Sequence, residues 1–305
     1  MKAIRTREPG IDGLVYEDVP DAKPGLCDVL IKVEACGITH NELDWPIWNC
    51  RAGHPRDSVI PGNEVSGVIA ALGYGTAGFA VGDEVFGLTD QLRNGAAAEY
   101  VAVEARNIAR KPRTLDHIQA AAVPRAGLTA WQSLFDHGHL EKGQTVVIHG
   151  AGGAVGSMAV QLAHWAGAHV IGTGREHSRS LALELGADRY LALDTEQPAD
   201  AAGQADLVVD TIGGDVLTGS SILLRPNGTL ITIKAAAEFP TDRDDIRKVV
   251  FVQESNRAQL TELARLIDEG RLRPQVGAVY PLEEAVKAFS AKAAGGLPGR
   301  MILQP

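Results

Sequence analysis

The stretch Ala151-Gly152-Gly153-Ala154-Val155-Gly156 has the residue sizes needed to hold a diphosphate. A small first residue permits a tight turn, Gly153 leaves room for a pyrophosphate to approach the backbone, and Gly156 lets the following helix lie close to the preceding strand. The free N–H groups that open such a helix attract an anion. About 20 positions after the glycines, an NAD site carries a carboxylate for the ribose hydroxyls. This chain instead has Thr173-Gly174-Arg175, followed by Ser178 and Arg179. A guanidinium at that point pairs with a 2′-phosphate as a fork, so the residues favour NADP(H) over NAD(H). Two other readings stand beside it. Arg175 and Arg179 could be solvated surface charges, and a shifted turn could bring Glu176 round to serve as the missing carboxylate.

The elements around the turn are those a dinucleotide needs. Residues 145–149 form a short β-branched run that leads directly into the glycines. Met158, Val160, Leu162, Ala163 and Ala166 make the next segment a mostly apolar helix, as expected of one pressed against a sheet. Residues 168–173 read as a second, parallel strand. Upstream, from Ala3 to about Val103, short strands such as 29–33, 65–72 and 97–103 alternate with Gly and Pro, which reads as a compact β domain. Segment 116–135 changes to helical periods, broken by Pro124 and Gly127. From 175 to 251, helices at 181–185 and 217–224 alternate with strands at 190–193, 207–210 and 229–233, implying parallel strands with right-handed crossovers. Segment 256–269 is an amphipathic helix with Leu260, Leu263, Leu266 and Ile267 along one side. The tail returns as a strand, a short helix and a last strand at 300–303 that rejoins the first domain.

At 305 residues the chain is long enough for two domains, each burying a core without disulfides. Acidic residues number 38 against 29 basic ones, for a net charge of −9, and the Lys and Arg are dispersed, so nucleic acid is not an expected partner. No apolar leader opens the sequence and no run of 18 or more apolar residues is present, so a cytoplasmic protein without a membrane partner is expected. Cys27, Cys36 and Cys50 lack CxxC spacing and read as small buried hydrophobes or free thiols.

Further motifs stand in a fixed order: Pro61-Gly-Asn-Glu-Val-Ser-Gly67, Gly82-Asp-Glu-Val-Phe-Gly87, Ala126-Gly-Leu-Thr-Ala-Trp131, and then the glycine turn. Together they resemble the medium-chain dehydrogenase/reductase superfamily over essentially the whole chain, and within it the zinc-independent quinone oxidoreductase, or zeta-crystallin-like, branch. The resemblance implies an α/β protein in two domains. Residues 1–122 and 258–305 would form a GroES-like, β-rich catalytic domain, and 123–257 a Rossmann NADP-binding domain with a doubly wound parallel sheet. It also implies a homodimer, which the β-rich segment 228–233, near the expected sheet edge, supports because such an edge needs covering. Cofactor contacts are expected at Thr129, Gly152, Gly153, Ala154, Val155, Gly156, Gly174, Arg175, Arg179, Thr211 and Ile233.

The departures from the family bear on the chemistry. Zinc alcohol dehydrogenases of the superfamily have a Cys shortly after a Cys-Gly pair and a His in a Gly-His-Glu motif; here Thr39 and Asn63 stand at those positions. A hydroxyl and an amide replace thiolate and imidazole poorly, and Cys36 with His40 makes only half a ligand set, so no metal is expected. Without a Lewis acid, hydride transfer suits a quinone or an α,β-unsaturated carbonyl, where charge delocalises onto oxygen and a neutral donor suffices. Thr39 is the candidate catalytic donor, with a Thr bonding its own backbone as the plainer role. Trp45 and Trp48 are either a flat wall for a conjugated substrate or packed core. A non-catalytic NADPH-binding protein is the alternative to an enzyme, and a zinc-type alcohol dehydrogenase is disfavoured.

Overall fold

The computed structural model describes residues 1–39, 42–45, 50–51, 54–55, 58–196, 203–234, 239, 241–295 and 298–305. They fall into two compact units. The first comprises Met1–Arg125, Ser255–Glu269 and Pro274–Pro305, and the second Ala126–Glu254 with Gly270–Arg273. The junctions lie at Arg125 and Ser255 rather than at 122 and 258.

In chain order the first unit opens with β1 (Lys2–Thr6), β2 (Leu14–Asp18), β3 (Asp28–Ile38), β4 (Cys50–Arg51), β5 (His54–Pro55) and β6 (Glu64–Leu72). It continues with β7 (Glu84–Leu88), β8 (Tyr100–Glu104), β9 (Ile108–Arg110), α1 (His117–Ala121) and the start of α2 (Pro124–Trp131). The second unit holds β10 (Thr145–His149), α3 (Ala154–Trp165), β11 (His169–Gly174), α4 (Arg179–Glu184), β12 (Arg189–Ala192), β13 (Ala205–Asp210), α5 (Gly214–Gly219), β14 (Leu224–Thr232) and β15 (Arg247–Val250). The chain then returns to the first unit through α6 (Arg257–Asp268), β16 (Val276–Pro281), α7 (Ala285–Ala294) and β17 (Arg300–Gln304).

β3 organises the first unit. Its early half alternates, with Val29, Ile31 and Val33 buried and the residues between them turned outward, as a strand with one wet face must. From Ala35 to Ile38 every residue is buried, because Ala121 and Ala122 pack over the second face, against Ala35 and the neighbouring Ile302. The sheet runs β16-β17-β3-β6-β7-β9, with β8 also paired to β3. Register then fixes the neighbours: Gly37 lies opposite Glu64 of β6 on one side and Ile302 of β17 on the other. A Cβ at position 37 would come within 2.6 Å of the Ala121 carbonyl and 2.9 Å of the Glu64 carboxylate, so glycine is what lets Glu64 cross the sheet there.

The second unit is a six-stranded sheet in the order β12-β11-β10-β13-β14-β15. Every pairing is parallel. Numbered from β10, this is the doubly wound order 3-2-1-4-5-6, whose direction reverses beside the first strand, and ligands of such sheets bind outside the carboxyl ends at that point. The apolar run Val146–Ile148 is fully buried, as a central parallel strand covered on both faces requires. α6 starts where expected: the Asn256 side chain accepts from the Gln259 N–H, and Leu260, Leu263, Leu266 and Ile267 are buried.

Two expectations change. Gly127 lies inside α2 without ending it, while Pro124 occupies the first helical position, where a missing N–H costs nothing. The helix read at 217–224 is α5 followed by a 3₁₀ turn over Ser220–Leu223, and Leu224 already begins β14. Segment 228–233 lies near the sheet edge as expected, one strand in, since β15 pairs outside it and is the edge strand itself. No helix among the described residues is long and apolar enough to cross a membrane.

Candidate functional site

The glycine turn caps the carboxyl end of β10. Gly150 adopts φ +76°, and its N–H and that of Ala151 both donate to the Thr173 carbonyl at 2.9 and 3.0 Å, tying the turn to β11. A Cβ on Gly156 would lie 2.0 Å from the Gly150 carbonyl oxygen, so only glycine lets α3 come this close to the turn. Gly153 is the N-cap of α3 and brings no side chain to cap it. The first-turn N–H groups, at Ala154 and Val155, are thereby left for an external anion, which fits a dinucleotide pyrophosphate. Ser178 overlies Gly152, its hydroxyl 2.4 Å from where a Cβ would stand. Thr211, on the neighbouring strand end, donates to the His149 carbonyl at 2.7 Å, and the Ile233 N–H donates to the Asp210 carbonyl at 3.2 Å.

The two arginines after β11 separate. Arg179 is occupied: Nε and Nη2 bond Glu176, Nη2 also bonds Glu196 at 2.9 Å, and Nη1 donates to the Tyr190 carbonyl at 2.9 Å. These hydrogen bonds and the flanking carboxylates hold its charge in place, so a 2′-phosphate would have to compete with Glu176 and Glu196 for it. The same pairing holds Glu176, whose N–H donates to Asp194 at 3.1 Å. Arg175 is exposed and makes no ion pair among the described residues; its carbonyl accepts from the Tyr190 hydroxyl at 2.7 Å, which fixes the backbone beside Gly174.

His149 lies beneath the turn. Ser220 donates its hydroxyl proton to the Val216 carbonyl at 2.7 Å, so its oxygen accepts from His149 Nε2 at 3.0 Å. That assignment leaves Nδ1 to accept from the Thr173 hydroxyl at 2.6 Å. Burial pushes the imidazole down to about 4, partly opposed by Asp210. The histidine is neutral in the fold but titrates near 6.5 when unfolded. Between those values the unfolded chain binds the extra proton, so this residue's contribution is fully present above about 6.5 and is lost as pH falls towards about 4. Melting temperatures of the native protein and His149→Asn across this range should converge towards the acid end; parallel curves would remove His149 as a cause of acid lability.

In the first unit, Thr39 follows β3 and Arg300 opens β17, and the antiparallel register that places Met301 opposite Ile38 makes them neighbours. Arg300 Nη1 donates to the Thr39 hydroxyl oxygen at 3.4 Å, leaving the hydroxyl proton for another acceptor. Glu42 accepts from the Thr39 and Gly62 N–H groups at 2.7 and 2.9 Å, and burial pushes its carboxyl up to about 7 against those bonds. Asn63 Oδ1 accepts from Arg125 Nε at 3.1 Å and Nη2 at 2.6 Å, and the same guanidinium lies 4.4 Å from the centre of the Trp45 ring. The Glu64 carboxylate accepts from the Arg125 backbone N–H at 2.9 Å and approaches Arg300 Nε at 2.8 Å. Cys36 is a buried free cysteine whose thiol burial pushes well up.

The structure thus gathers the glycine turn, Gly174, Arg175, Thr211 and Ile233 at the carboxyl ends of the parallel strands. Thr129 is buried within α2, its carbonyl accepting from the Ser133 hydroxyl at 2.7 Å. Thr39 and half-buried Trp45 belong to the charged group of the first unit; Trp48 and His40 lie outside the described residues. Sequence reading missed Arg125, Arg300, Glu42 and His149. A signal existed for Arg125, a lone charge between the apolar runs 120–124 and 126–131, and for Arg300, which opens an otherwise apolar strand.

Two family profiles match the chain: the alcohol dehydrogenase GroES-like domain over residues 24–113 and zinc-binding dehydrogenase over 185–303. The chain is 30% identical over 329 residues to a quinone oxidoreductase of Mus musculus, covering 99% of this chain and 97% of the relative. It is 30% identical over 323 residues to a 2-methylene-furan-3-one reductase of Solanum lycopersicum, covering 100% and 79%. The solved quinone oxidoreductase of Coxiella burnetii superposes with a TM-score of 0.92 at 27% identity, covering 100% of this chain and 99% of that one. With an antiparallel GroES-like unit, a doubly wound parallel sheet and a glycine turn at its switch point, the chain belongs to the medium-chain dehydrogenase/reductase superfamily and is an oxidoreductase of the nicotinamide-dependent kind.

Proposed function

We propose that this chain is an NADPH-dependent, zinc-independent reductase of quinones or α,β-unsaturated carbonyls. The observation that carries the reading is the Asn63–Arg125 pair. Where a zinc site would need an imidazole, an amide oxygen already accepts two hydrogen bonds from a buried cation. A second cation beside that guanidinium would be repelled, and hydroxyl and amide are weak zinc donors, so the residues present do not fit the metal. The named activities of the Mus musculus and Solanum lycopersicum relatives support the same acceptor class. A bound nicotinamide supplies the hydride. Thr39 donates a hydrogen bond to the acceptor oxygen as negative charge gathers there, and Arg300 behind it holds the hydroxyl proton outward. The test is a panel of quinones and enones scored by loss of reduced-nicotinamide absorbance; cofactor binding without turnover on any of them would leave the non-catalytic reading.

The preference for NADPH rests first on Arg175, since Arg179 is already paired. Arg175→Ala should weaken NADPH by about 1.5–3 kcal/mol, the range for a hydrogen bond to a charged group, and leave NADH unchanged. Equal affinity of the native protein for both cofactors would end the assignment.

A homodimer is also proposed, now through the exposed edge β15, where Val250 is 38% exposed and Val252, two residues beyond the strand, 61%. Sedimentation should give twice the chain mass at micromolar concentration, and Val250→Lys, which puts a charge on the exposed edge, should lower it to the monomer mass. A native monomer would refute the proposal.

A further inference from the structure

One row of residues across the parallel sheet is polar and buried. Register aligns Thr173 of β11 with His149 of β10, His149 with Asp210 of β13, and Asp210 with Thr232 of β14. None of the four is more than 1% exposed. The row one level below is Gly172, Ile148, Val209 and Ile231, so polarity begins only at the carboxyl ends. Each polar residue stands one position before the candidate cofactor site, at Gly174, at Gly150 of the glycine turn, at Thr211 and at Ile233. The row is bonded as two pairs. Thr173 donates to His149 Nδ1 at 2.6 Å, and Thr232 donates to Asp210 Oδ2 at 2.7 Å. His149 turns its other nitrogen to Ser220, so the break falls between β10 and β13, where the strand order reverses.

Asp210 shapes the chain on both sides of its pair. Its Oδ1 accepts from the Ile212 and Gly213 N–H groups, each at 3.0 Å, and Oδ2 accepts from the Gly213 N–H at 3.1 Å. Gly213 has φ +82°, which lets the backbone curl back over the carboxylate. The Thr232 hydroxyl oxygen in turn accepts from the Lys234 N–H at 3.2 Å. One buried carboxylate thus fixes segments 211–213 and 232–234. A buried charge adds little net stability even when well bonded, whereas segments ordered before a ligand arrives lower the cost of binding it. A sheet of this order consists of two mononucleotide-binding halves, and the end of its second strand, here β11, recognises the adenosine ribose. The ends of β13 and β14 therefore serve the other mononucleotide. We propose that Asp210 and Thr232 are positioning residues for the nicotinamide half of the cofactor, acting independently of the Thr173–His149 pair beneath the adenosine half. This rests on the cofactor assignment above and adds to it two residues that work from beneath the binding surface.

The test is calorimetric titration of the native protein, Thr232→Val and Thr232→Ser with NADPH and with 2′,5′-ADP, which keeps the adenosine end and lacks the nicotinamide. Thr232→Val should raise the NADPH Kd about tenfold or more, as loss of a hydrogen bond to a charged group does, and leave 2′,5′-ADP at its native Kd. Thr232→Ser, which keeps the hydroxyl, should bind both as the native protein does. Equal weakening of both ligands in Thr232→Val, or of neither, overturns the proposal. The native protein gives a second reading that needs no variant to fold. Saturating NADPH should slow amide exchange across 211–214 and 232–234, and saturating 2′,5′-ADP should not; slowing by both, or by neither, overturns the proposal. If NADH proves the tighter cofactor, NADH and AMP replace the two probes with the same outcomes. A native protein that binds neither NADPH nor NADH sinks the cofactor assignment itself and this proposal with it.

Discussion

Gly153→Val should abolish binding of both NADPH and NADH while leaving the fold intact. Position 153 has φ −78° and ψ 173°, ordinary extended backbone that valine adopts readily. A Cβ there meets only the Gly150 carbonyl oxygen, at 3.2 Å, a contact that needs a few tenths of an ångström of relief. The added bulk instead occupies the approach to the uncapped start of α3. We expect more than about 4 kcal/mol of binding to be lost, roughly a thousandfold in Kd, with a melting temperature close to the parent's. Gly156→Val is the contrasting case. Its Cβ would lie 2.0 Å from the Gly150 carbonyl oxygen and 2.9 Å from the Ala151 Cα, so it should lose cofactor and melt early. Fluorescence titration with a thermal melt separates the two. Retained cofactor affinity in Gly153→Val would make the turn a purely structural feature.

Thr39→Val should lower turnover on quinones and enones by about 2.7–4 kcal/mol, the effect of removing a principal oxyanion donor, and change NADPH affinity far less. Valine keeps the shape of threonine and the backbone N–H bond to Glu42 while removing the one hydroxyl that Arg300 orients. Exhaustive chelation should leave native activity unchanged. Loss of activity in EDTA with recovery on adding zinc would defeat the metal-free mechanism. Unchanged turnover in Thr39→Val would keep that mechanism but remove this residue from it, with a backbone N–H or cofactor ribose hydroxyl as the donor.

The cofactor side was legible because it is local: a strand, a turn of small residues and a helix are written in consecutive positions. For Arg179 the charge alone was visible, not its partners. Its partners Glu176 and Glu196 lie 3 and 17 positions away, and only the path of β12 brings the second within reach. The edge strand itself went unread because the sequence 247–250, Arg-Lys-Val-Val, is too short and too charged to announce a strand beyond β14. The charged cluster was hidden for a different reason. Residues 37, 64 and 302 meet through strand register, and no spacing in one dimension encodes which strand will lie beside which.

The pairing of β3 with β17 also sets a clock. Thr39 and Arg300 are separated by 261 positions, so on a ribosome adding 5–20 residues per second the first waits roughly 13 to 52 s for the second. Through that interval Glu64 has no Arg300 beside it, and the fully buried half of β3 lacks the strand that pairs with it. For the reductase proposed above, a chain still lacking β17 should therefore show no turnover even when its nucleotide-binding unit is finished.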